Sequence, residues 1–187
     1  GIVHRLDKDT SGLMIVAKND VAHRALAAQL ADKTLSRIYV AVCFSMPNPS
    51  RGRIETLIGR HPKNRQKMAV VERNGKEAAT NYTTLRAFHG GLLSLVECRL
   101  ETGRTHQIRV HMSHIGCPLV GDKVYGNKNR SYLKSLGKEA DAVWNFPRQA
   151  LHAKDIAFVH PRSGKKLKFT SSIAEDMNNL VGALGGS

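Results

Sequence analysis

Hydrophobic and polar residues alternate along much of the chain with the two-residue period of β-strands. Residues 36–44 alternate throughout, which predicts a strand whose most apolar face lies opposite Tyr39. Residues 77–88 and 92–100 predict two further strands. Because the segment 89–91 between them reads His-Gly-Gly, the sequence predicts that these two strands form a hairpin.

Shorter runs predict the rest of a sheet. Residues 13–18 are almost wholly apolar and lie between Ser-Gly and Asn-Asp pairs, which is typical of a strand buried on both faces. Residues 53–58 and 67–71 predict short strands on either side of a basic turn. Residues 151–160 and 165–170 predict a closing pair of strands.

Two segments show the 3.6-residue period of amphipathic helices. The first helix is predicted to begin with Asp20 as its N-cap and to end near Asp32. The second is predicted to begin at Thr105, which can cap it, and to end at Gly116. Its apolar residues share one face: Ile108, Met112 and Ile115.

The C-terminal third of the chain mixes polar and apolar segments. Residues 127–144 are polar and predict an inserted helix and loop. Residues 172–180 predict a last helix, and residues 181–187 predict a mobile tail. Together, the elements predict a mixed, mainly antiparallel β-sheet with flanking helices, which is an α+β fold.

The charge of the chain changes this picture more than its other composition does. The length of 187 residues suits one domain, and 41% hydrophobic with 24% charged residues is ordinary for a globular protein. Lys and Arg number 29 against 15 Asp and Glu, so the formal net charge is +14. Such an excess favours a polyanionic partner, first of all nucleic acid, because each neutralised phosphate releases counterions. Solubility alone is the alternative explanation.

The cysteines and the apolar segments indicate in which cellular compartment the protein is expected. Cys43, Cys98 and Cys117 lie far apart in apolar settings without a C-x-x-C pair, which predicts reduced core residues of a cytoplasmic protein. No run of the sequence approaches the ~18 apolar residues of a membrane-spanning helix. The sequence therefore predicts no membrane partner.

The stretch HRLDKDT, residues 4–10, sets two carboxylates among cations. An aspartate ahead of Thr-Ser-Gly often does no more than form a turn. Here Asp9 and Thr10 can form that turn, and Asp7 stands apart from them behind Lys8. We therefore expect the Asp7 carboxylate to be available for chemistry.

The second predicted helix starts with basic residues. Arg104, His106 and Arg109 lie there, where the backbone N–H groups also favour anions. A metal site is the alternative for the histidines. However, helical spacing places His106 off the face shared by His111 and His114, and the segment has no H-E-x-x-H pattern, so no metal is predicted.

Four segments closely resemble those of one enzyme family. They read HRLDKDTSGLMIVAKN, SRIYVAV, LETGRTHQIRVHMSHIGCPLVGDKVYG and RQALHAKDIAFVHP, and they follow the family's order from Gly1 to about Thr170. The chain resembles the RluA/RluC/RluD family of RNA pseudouridine synthases, most of all its RluD-like branch. The resemblance implies an isomerisation without a cofactor. A uridine of folded RNA is flipped into a cleft, its N1–C1′ bond breaks, the base rotates, and C5 joins C1′.

The resemblance also implies roles for single residues. Asp7 matches the catalytic aspartate, Arg109 the basic residue paired with it, and Tyr39 the active-site tyrosine that stacks on the base and helps to remove the C5 proton. A guanidinium beside a carboxylate favours its charged form, which is needed either to attack C1′ or to take a proton from C2′. The sequence does not decide between these two first steps. Arg5 matches the arginine that helps to displace the base, and His4 beside it is expected to contact RNA.

Other residues are expected to bind RNA or to support the site. Cations outside the catalytic set are expected to hold phosphates without reading the base sequence. They are Arg60, Lys63, Arg65 and Lys67 of the basic turn, with Arg104 and His106 of the helix start. His152 is interpreted as a structural or cleft-wall residue, and Asp122 as part of a loop.

The resemblance suggests large-subunit ribosomal RNA as the substrate, with transfer RNA as the second possibility. Residues 1–187 are interpreted as one monomeric catalytic domain. We expect this domain to lack the family's N-terminal portion, which the resemblance implies to contain a Lys-Pro-x-Gly strand and in many members a small RNA-binding domain.

Two other functions stay open on the residues alone. A non-catalytic, basic RNA-binding module would explain the net charge, although it gives no reason for the set Asp7, Tyr39 and Arg109. A hydrolase would use Asp7 with Asp9 as a general acid–base or metal-binding pair.

Overall fold

The computed structural model describes residues 1–126 and 133–185, with residue 65 described by its backbone alone. Within this part, an eight-stranded sheet forms the centre of the molecule. Its strands are β1 (Ser11–Gly12), β2 (Ser36–Phe44), β3 (Arg51–His61), β4 (Asn64–Val71), β5 (Lys76–Phe88), β6 (Leu93–Leu100), β7 (Leu151–Val159) and β8 (Lys166–Thr170). The helices include α1 (Asp20–Ala31), α2 (Gln107–His114), α3 (Ala140–Trp144) and α4 (Glu175–Gly185).

The strands lie in the order β1-β7-β2-β6-β5-β3-β4, and β8 pairs with β7. Within the described ranges, every pair of strands is antiparallel except β1 with β7. The hairpins β5–β6 and β7–β8 are those that the sequence predicts. The predicted α+β fold with a mainly antiparallel sheet is confirmed.

Strand β2 is buried on both faces, including the face of Tyr39, which the sequence predicts to be the less apolar one. Tyr39, Ala41 and Cys43 pack against the apolar side of α2. Val40 and Val42 pack on the opposite face with residues of α3 and α4. Each aliphatic side chain buried in this way contributes roughly 1.5–3 kcal/mol to folding. The strand that carries Tyr39 is therefore held from both sides.

Helix α2 ends as predicted but begins differently. Its C-terminal end turns at Gly116, whose φ is 77°. Its first residue is Gln107, preceded by His106 in the left-handed region with φ 58°, so the prediction of Thr105 as the cap is wrong. The Gln107 side chain stabilises the turn before the helix, because its Oε1 accepts a hydrogen bond of 2.9 Å from the Arg104 amide, which lies outside the helix.

The apolar segment 13–18 is not the strand buried on both faces that the sequence predicts. Strand β1 comprises only Ser11 and Gly12, which pair with β7 directly before this segment. The side chains of Leu13 and Ile15 pack with those of α1, whereas Met14 is 46% and Val16 51% exposed. Both sides of the segment are apolar, but only the side of Leu13 and Ile15 packs against the rest of the protein.

The basic turn is shorter than predicted, because β3 extends to His61 and β4 begins at Asn64. Only Pro62 and Lys63 connect the two strands. Arg60 and Lys67 therefore lie on strands of a long hairpin and not in a loop.

The ends of other predicted helices also shift. Helix α1 is capped by Asn19, whose Oδ1 accepts a bond of 2.9 Å from the Ala22 amide, so the prediction of Asp20 as the cap is wrong. Helix α4 extends to Gly185 and buries Leu184, where the sequence predicts a mobile tail. Of the predicted insertion at 127–144, residues 127–132 lie outside the described residues, and the rest contains α3.

Candidate active site

A cleft of about 520 Å³ opens between the segment 2–10, strand β2 and the start of α2. Six of the residues that the sequence predicts for the site line it: His4, Arg5, Asp7, Tyr39, Arg104 and His106. Arg109 lies against it and donates a hydrogen bond of 3.3 Å to the Asp7 carboxylate. The structure thus brings together Asp7, Tyr39 and Arg109, which come from three separate segments of the chain.

The loop that carries Asp7 is held in one conformation by a tight turn. The Thr10 amide donates a bond of 3.0 Å to the Asp7 carbonyl, and Asp9 takes a φ of 68°. Aspartate is one of the few residues that tolerate this left-handed region. The turn is therefore formed by Asp9 and Thr10, as the sequence predicts, and the Asp7 side chain does not take part in it.

Arg148 and Gln149, which come shortly before β7, form hydrogen bonds that hold the same loop. Gln149 donates hydrogen bonds of 2.6 Å to the Lys8 carbonyl and 3.0 Å to the Thr10 hydroxyl. Arg148 donates bonds of 3.0 Å to the Asp9 carbonyl and 3.1 Å to the Ser11 hydroxyl.

Arg148 is in turn held by Asp176 of α4, at 2.7 and 2.8 Å. Neither Arg148 nor Gln149 was assigned a role from the sequence. Their signal was present, because both lie in the segment RQALHAK that carries part of the family resemblance.

Arg109 bridges two carboxylates. Its Nε and Nη2 donate to the two oxygens of Asp122 at 2.7 and 2.9 Å, and its Nη1 faces Asp7. Asp122 Oδ1 also accepts from the amides of Val124 and Tyr125 at 2.9 and 3.0 Å. The side chains are 14% exposed for Asp7, 6% for Arg109 and 0% for Asp122, so the series runs from the cleft into the interior.

The charges of Asp7, Arg109 and Asp122 stabilise one another. Burial alone lowers the pKa of Arg109, but the hydrogen bonds and charges of Asp122 and Asp7 raise it above its usual value. Burial alone likewise raises the pKa of Asp122, but Arg109 and two backbone amides lower it. Asp122 and Arg109 are thus a charged, bidentate pair, and this geometry fixes the direction of the guanidinium that meets Asp7.

Asp122 is another residue of the site whose contact with Arg109 was missed from the sequence. It was interpreted as loop architecture, which its bonds to the Val124 and Tyr125 amides do show. Its second role, orienting Arg109, depends on the loop after α2 folding back beside that helix. The signal was the stretch VGDKVYG, which is part of the resemblance.

Tyr39 lies in the wall of the cleft and is 5% exposed. The pairing of β2 with β7 shifts register between Ile38 and Tyr39, an irregularity of the kind often found beside active sites. Burial raises the pKa of Tyr39, and the Asp7 charge adds to this while the Arg37 charge opposes it. Tyr39 therefore presents a neutral phenol to the cleft at neutral pH.

His106 lines the side of the cleft next to α2 and contacts Tyr125, which lines the second cleft. The Tyr125 hydroxyl lies 2.9 Å from His106 Nδ1 and accepts a bond of 2.8 Å from the Met68 amide. The Tyr125 ring also lies under the Arg109 guanidinium, 5.1 Å from its carbon. Burial lowers the pKa of His106, although the Asp7 charge acts in the opposite direction.

His4 enters the cleft as a neutral imidazole. Its Nε2 accepts a bond of 3.1 Å from the Ile15 amide, and its Nδ1 is buried without a hydrogen-bond partner. Burial, followed by the charge of Arg37, lowers the pKa of His4 to about 4. A role of His4 as a cation for RNA is therefore disfavoured at neutral pH.

The other predicted RNA-binding cations are spread over a wider surface. Lys63 is exposed at the tip of the β3–β4 hairpin, and Arg60 lies beside it on β3. Lys67 lines a second cleft of about 370 Å³ next to Tyr125. Arg104 donates from Nε to the Glu77 carbonyl at 2.8 Å, at the mouth of the first cleft.

His111 is a core residue. It is fully buried, and its two ring nitrogens lie 3.0 and 2.9 Å from the hydroxyls of Thr56 and Thr80. His152 is also buried and contacts the Ser11 hydroxyl at 3.0 Å, beside the Asp7 loop. Across residues 1–126 and 133–185, no group of three or more His, Cys, Asp or Glu side chains is arranged to hold a metal ion.

Comparisons with known proteins show the family of this chain. A family model described as RNA pseudouridylate synthase matches residues 1–114, which include Asp7, Tyr39 and Arg109. A ribosomal large subunit pseudouridine synthase D of Zymomonas mobilis is 48% identical over 181 residues, covering 96% of this chain and 55% of the relative. The protein of the same name from Pseudomonas aeruginosa is 50% identical over 184 residues, covering 98% and 56%. The chain thus spans about half the length of these curated relatives.

A solved structure gives the same result for the fold. The human RNA pseudouridylate synthase domain containing 4 superposes with a TM-score of 0.76 at 27% identity, over 98% of this chain and 75% of that one. None of the helices in the described residues has the length and apolar character needed to cross a bilayer. From the matched model, the shared motifs and the shared fold, the chain belongs to the RNA pseudouridylate synthase family.

Proposed function

We propose that this chain is an RNA pseudouridine synthase that isomerises uridine to pseudouridine in structured RNA, with Asp7 as its catalytic carboxylate. The observation that carries the proposal is the contact between the Asp7 carboxylate and Arg109 at the wall of an open cleft. The family membership supports it, because the model that matches the chain is that of RNA pseudouridylate synthases.

The isomerisation needs no cofactor because its atoms balance within the nucleotide. The N1–C1′ bond breaks and a C5–C1′ bond forms, while the proton lost from C5 is matched by one gained at N1. Asp7 acts first, either on C1′ as a nucleophile or on the C2′ proton as a base, and both steps need an ionised carboxylate. Arg109 places a cation against Asp7, and Asp122 holds Arg109 in that position.

Tyr39 supplies the surface for the base. Its ring lines the same cleft, and base–aromatic stacking contributes roughly 1–3 kcal/mol per base. Its phenol stays neutral at neutral pH, which suits a relay of the C5 proton better than a permanent negative charge beside Asp7.

Arg5 assists the entry of the uridine. It is exposed at the mouth of the cleft, two residues before Asp7. A base that leaves its stack costs a few kcal/mol, and a planar cation that fills the gap offsets part of that cost. The hairpin cations Arg60, Lys63 and Lys67 hold the flanking phosphates. The predicted role of Arg65 concerns a side chain outside the described part of the chain.

The substrate is large-subunit ribosomal RNA. The relatives from Zymomonas mobilis and Pseudomonas aeruginosa, both named for the ribosomal large subunit, support this choice over transfer RNA. The described residues work as one catalytic domain, as a monomer in the cytoplasm, which is the compartment of that RNA.

The decisive experiment compares two conservative variants of neighbouring aspartates. Ribosomal RNA transcripts are incubated with the purified chain, and pseudouridine is mapped by carbodiimide labelling and primer extension. Asp7→Asn is expected to lower the rate by at least about 10³-fold, because it removes the charge needed in the first step. Asp9→Asn is the matched control, since asparagine also tolerates the left-handed conformation of residue 9, and its rate is expected to stay within a few-fold.

Other outcomes identify the alternatives. Pseudouridine formation by Asp7→Asn at the wild-type rate would contradict the proposal. Binding of RNA without conversion by the wild-type chain would favour a non-catalytic binding module. Strand scission that both Asp→Asn variants abolish would favour a hydrolase.

A further inference from the structure

Arg37 of β2 is a buried cation that the proposed reaction does not use. It is 7% exposed and lines the cleft together with Tyr39. Its Nε is buried without a hydrogen-bond partner. In the described ranges 1–126 and 133–185, no carboxylate lies within 4.0 Å of its guanidinium, although Asp7 lines the same cleft.

A buried charge without a counter-ion is costly in the free protein. Most buried cations in folded proteins are paired with a carboxylate or another anion. The groups next to Arg37 do not supply one, because His4 and Tyr39 are both neutral at neutral pH. Burial lowers the pKa of Arg37, and only Tyr39 acts against this. Arg37 therefore lacks an anion that a ligand in the cleft would supply.

The backbone opposite Arg37 leaves space for its guanidinium. Gly103 lies against it, and a Cβ at that position would come within 2.5 Å of Arg37 Nη1. Any other residue at 103 would displace the guanidinium. The segment that leads to α2 thus allows the Arg37 side chain to lie in the cleft wall.

We infer that Arg37 binds a backbone phosphate of the RNA strand that enters the cleft, next to the nucleotide whose base stacks on Tyr39. Arg37 and Tyr39 are two residues apart on the same face of β2, roughly 7 Å along the strand. A planar guanidinium matches two phosphate oxygens and is less strongly hydrated than an ammonium group. This inference rests on the proposed function and names the contact that positions the substrate.

Loss of the Arg37 charge should have opposite effects on the free protein and on the complex. Arg37→Met keeps an apolar side chain in the wall and removes the unpaired charge. We expect its Tm to rise by about 2–4 °C in the absence of RNA. We also expect its Kd for a fluorescein-labelled RNA hairpin with uridine in the loop to increase about 10-fold. The slope of log Kd against log salt concentration should fall by about 0.7.

Arg99→Gln is the matched control. Arg99 lies on the adjacent strand β6, paired with residue 38, but is exposed, and its loss changes the net charge by the same amount. Its Tm should stay within about 1 °C and its Kd within about two-fold. Arg37→Lys, which keeps the charge but not the planar fork, should recover only part of the affinity.

The Tm and the RNA affinity together test the phosphate site at Arg37 without a measurement of isomerisation. A higher Tm with weaker RNA binding for Arg37→Met, and neither for Arg99→Gln, supports the phosphate site even if the chain forms no pseudouridine. A lower Tm overturns it whatever the affinity, because Arg37 then has a structural role. A higher Tm with unchanged RNA affinity overturns it as well.

Discussion

Two arginines lie at the same cleft with nearly equal burial but opposite surroundings. Arg109 is 5% exposed and faces two carboxylates, one of them bidentate. Arg37 is 7% exposed and has no salt bridge within the described residues. Burial alone therefore does not reveal the role of a charged residue. A paired cation holds the carboxylates of the site in place, whereas an unpaired cation can still bind an anionic ligand.

The largest expected effect comes from breaking the paired arginine. Arg109→Met leaves the fully buried Asp122 carboxylate without its partner, and loss of one member of a buried pair costs about 3–5 kcal/mol. The free energy of unfolding, measured in urea, should fall by this amount. Arg37→Met should change it in the opposite direction.

A double variant distinguishes the loss of the pair from simple loss of packing. Arg109→Met with Asp122→Asn removes both charges, and the new amide side chain can still accept hydrogen bonds from the amides of Val124 and Tyr125. It should recover more than half of the lost stability but no pseudouridine formation. A double variant that is no more stable than Arg109→Met contradicts this account of the pair.

Acid should turn His111 into a second buried cation without an anion, as Arg37 is at neutral pH. Burial, followed by the charge of His114, lowers the pKa of His111 to about 4, below its ordinary value of 6.5. The unfolded chain then binds the proton first, so stability is complete above pH 6.5 and is lost as the pH falls towards 4. The expected loss is about 3 kcal/mol.

Denaturation in urea at about pH 7, 5.5 and 4.5 measures this loss. His111→Asn should reduce the pH dependence by the share of His111, even if it lowers stability at neutral pH, and the share of His4, whose pKa is also lowered to about 4, should remain. His114→Gln is the control, because His114 is exposed, and it should keep most of the slope. Equal slopes for wild type and His111→Asn would rule out His111 as the cause.

The smallest effect is expected from an exposed cation that forms no salt bridge with the described residues. Lys63 at the hairpin tip remains hydrated, so Lys63→Gln should change the free energy of unfolding by less than about 0.5 kcal/mol. Its affinity for RNA should fall only a few-fold, by a similar factor for RNAs of different sequence, which fluorescence anisotropy measures. A rise in stability like that expected for Arg37→Met would remove the distinction between buried and exposed unpaired cations.

Local patterns were sufficient to predict much of the fold. The alternation over 36–44 and the His-Gly-Gly turn at 89–91 predicted β2 and the β5–β6 hairpin, because strand period and turn chemistry are properties of neighbouring residues. The last helix was predicted too short, although Met177, Leu180 and Leu184 share one buried face. The glycines that follow Leu180 obscured that period.

Features that depend on distant neighbours were not predictable in the same way. The segment 13–18 has apolar residues on both sides, so its pattern does not show which side is buried. Only the packing decides that Met14 and Val16 stay exposed. Asp7 and Arg109 were predicted as a pair through the family resemblance. The same resemblance assigned no function to Asp122 or Arg37, since a partner, or the lack of one, is visible only after the chain has folded.

The fastening of the Asp7 loop has a consequence for the order of events during translation. The loop leaves the ribosome long before Gln149, which binds the Lys8 carbonyl and lies 141 residues further along the chain, and Asp176 holds Arg148 from α4. A nascent chain cannot fasten the loop until these later segments have emerged. The Asp7 loop therefore gains these hydrogen bonds only after α4 has been made, so shorter nascent chains would lack the complete form of the proposed site.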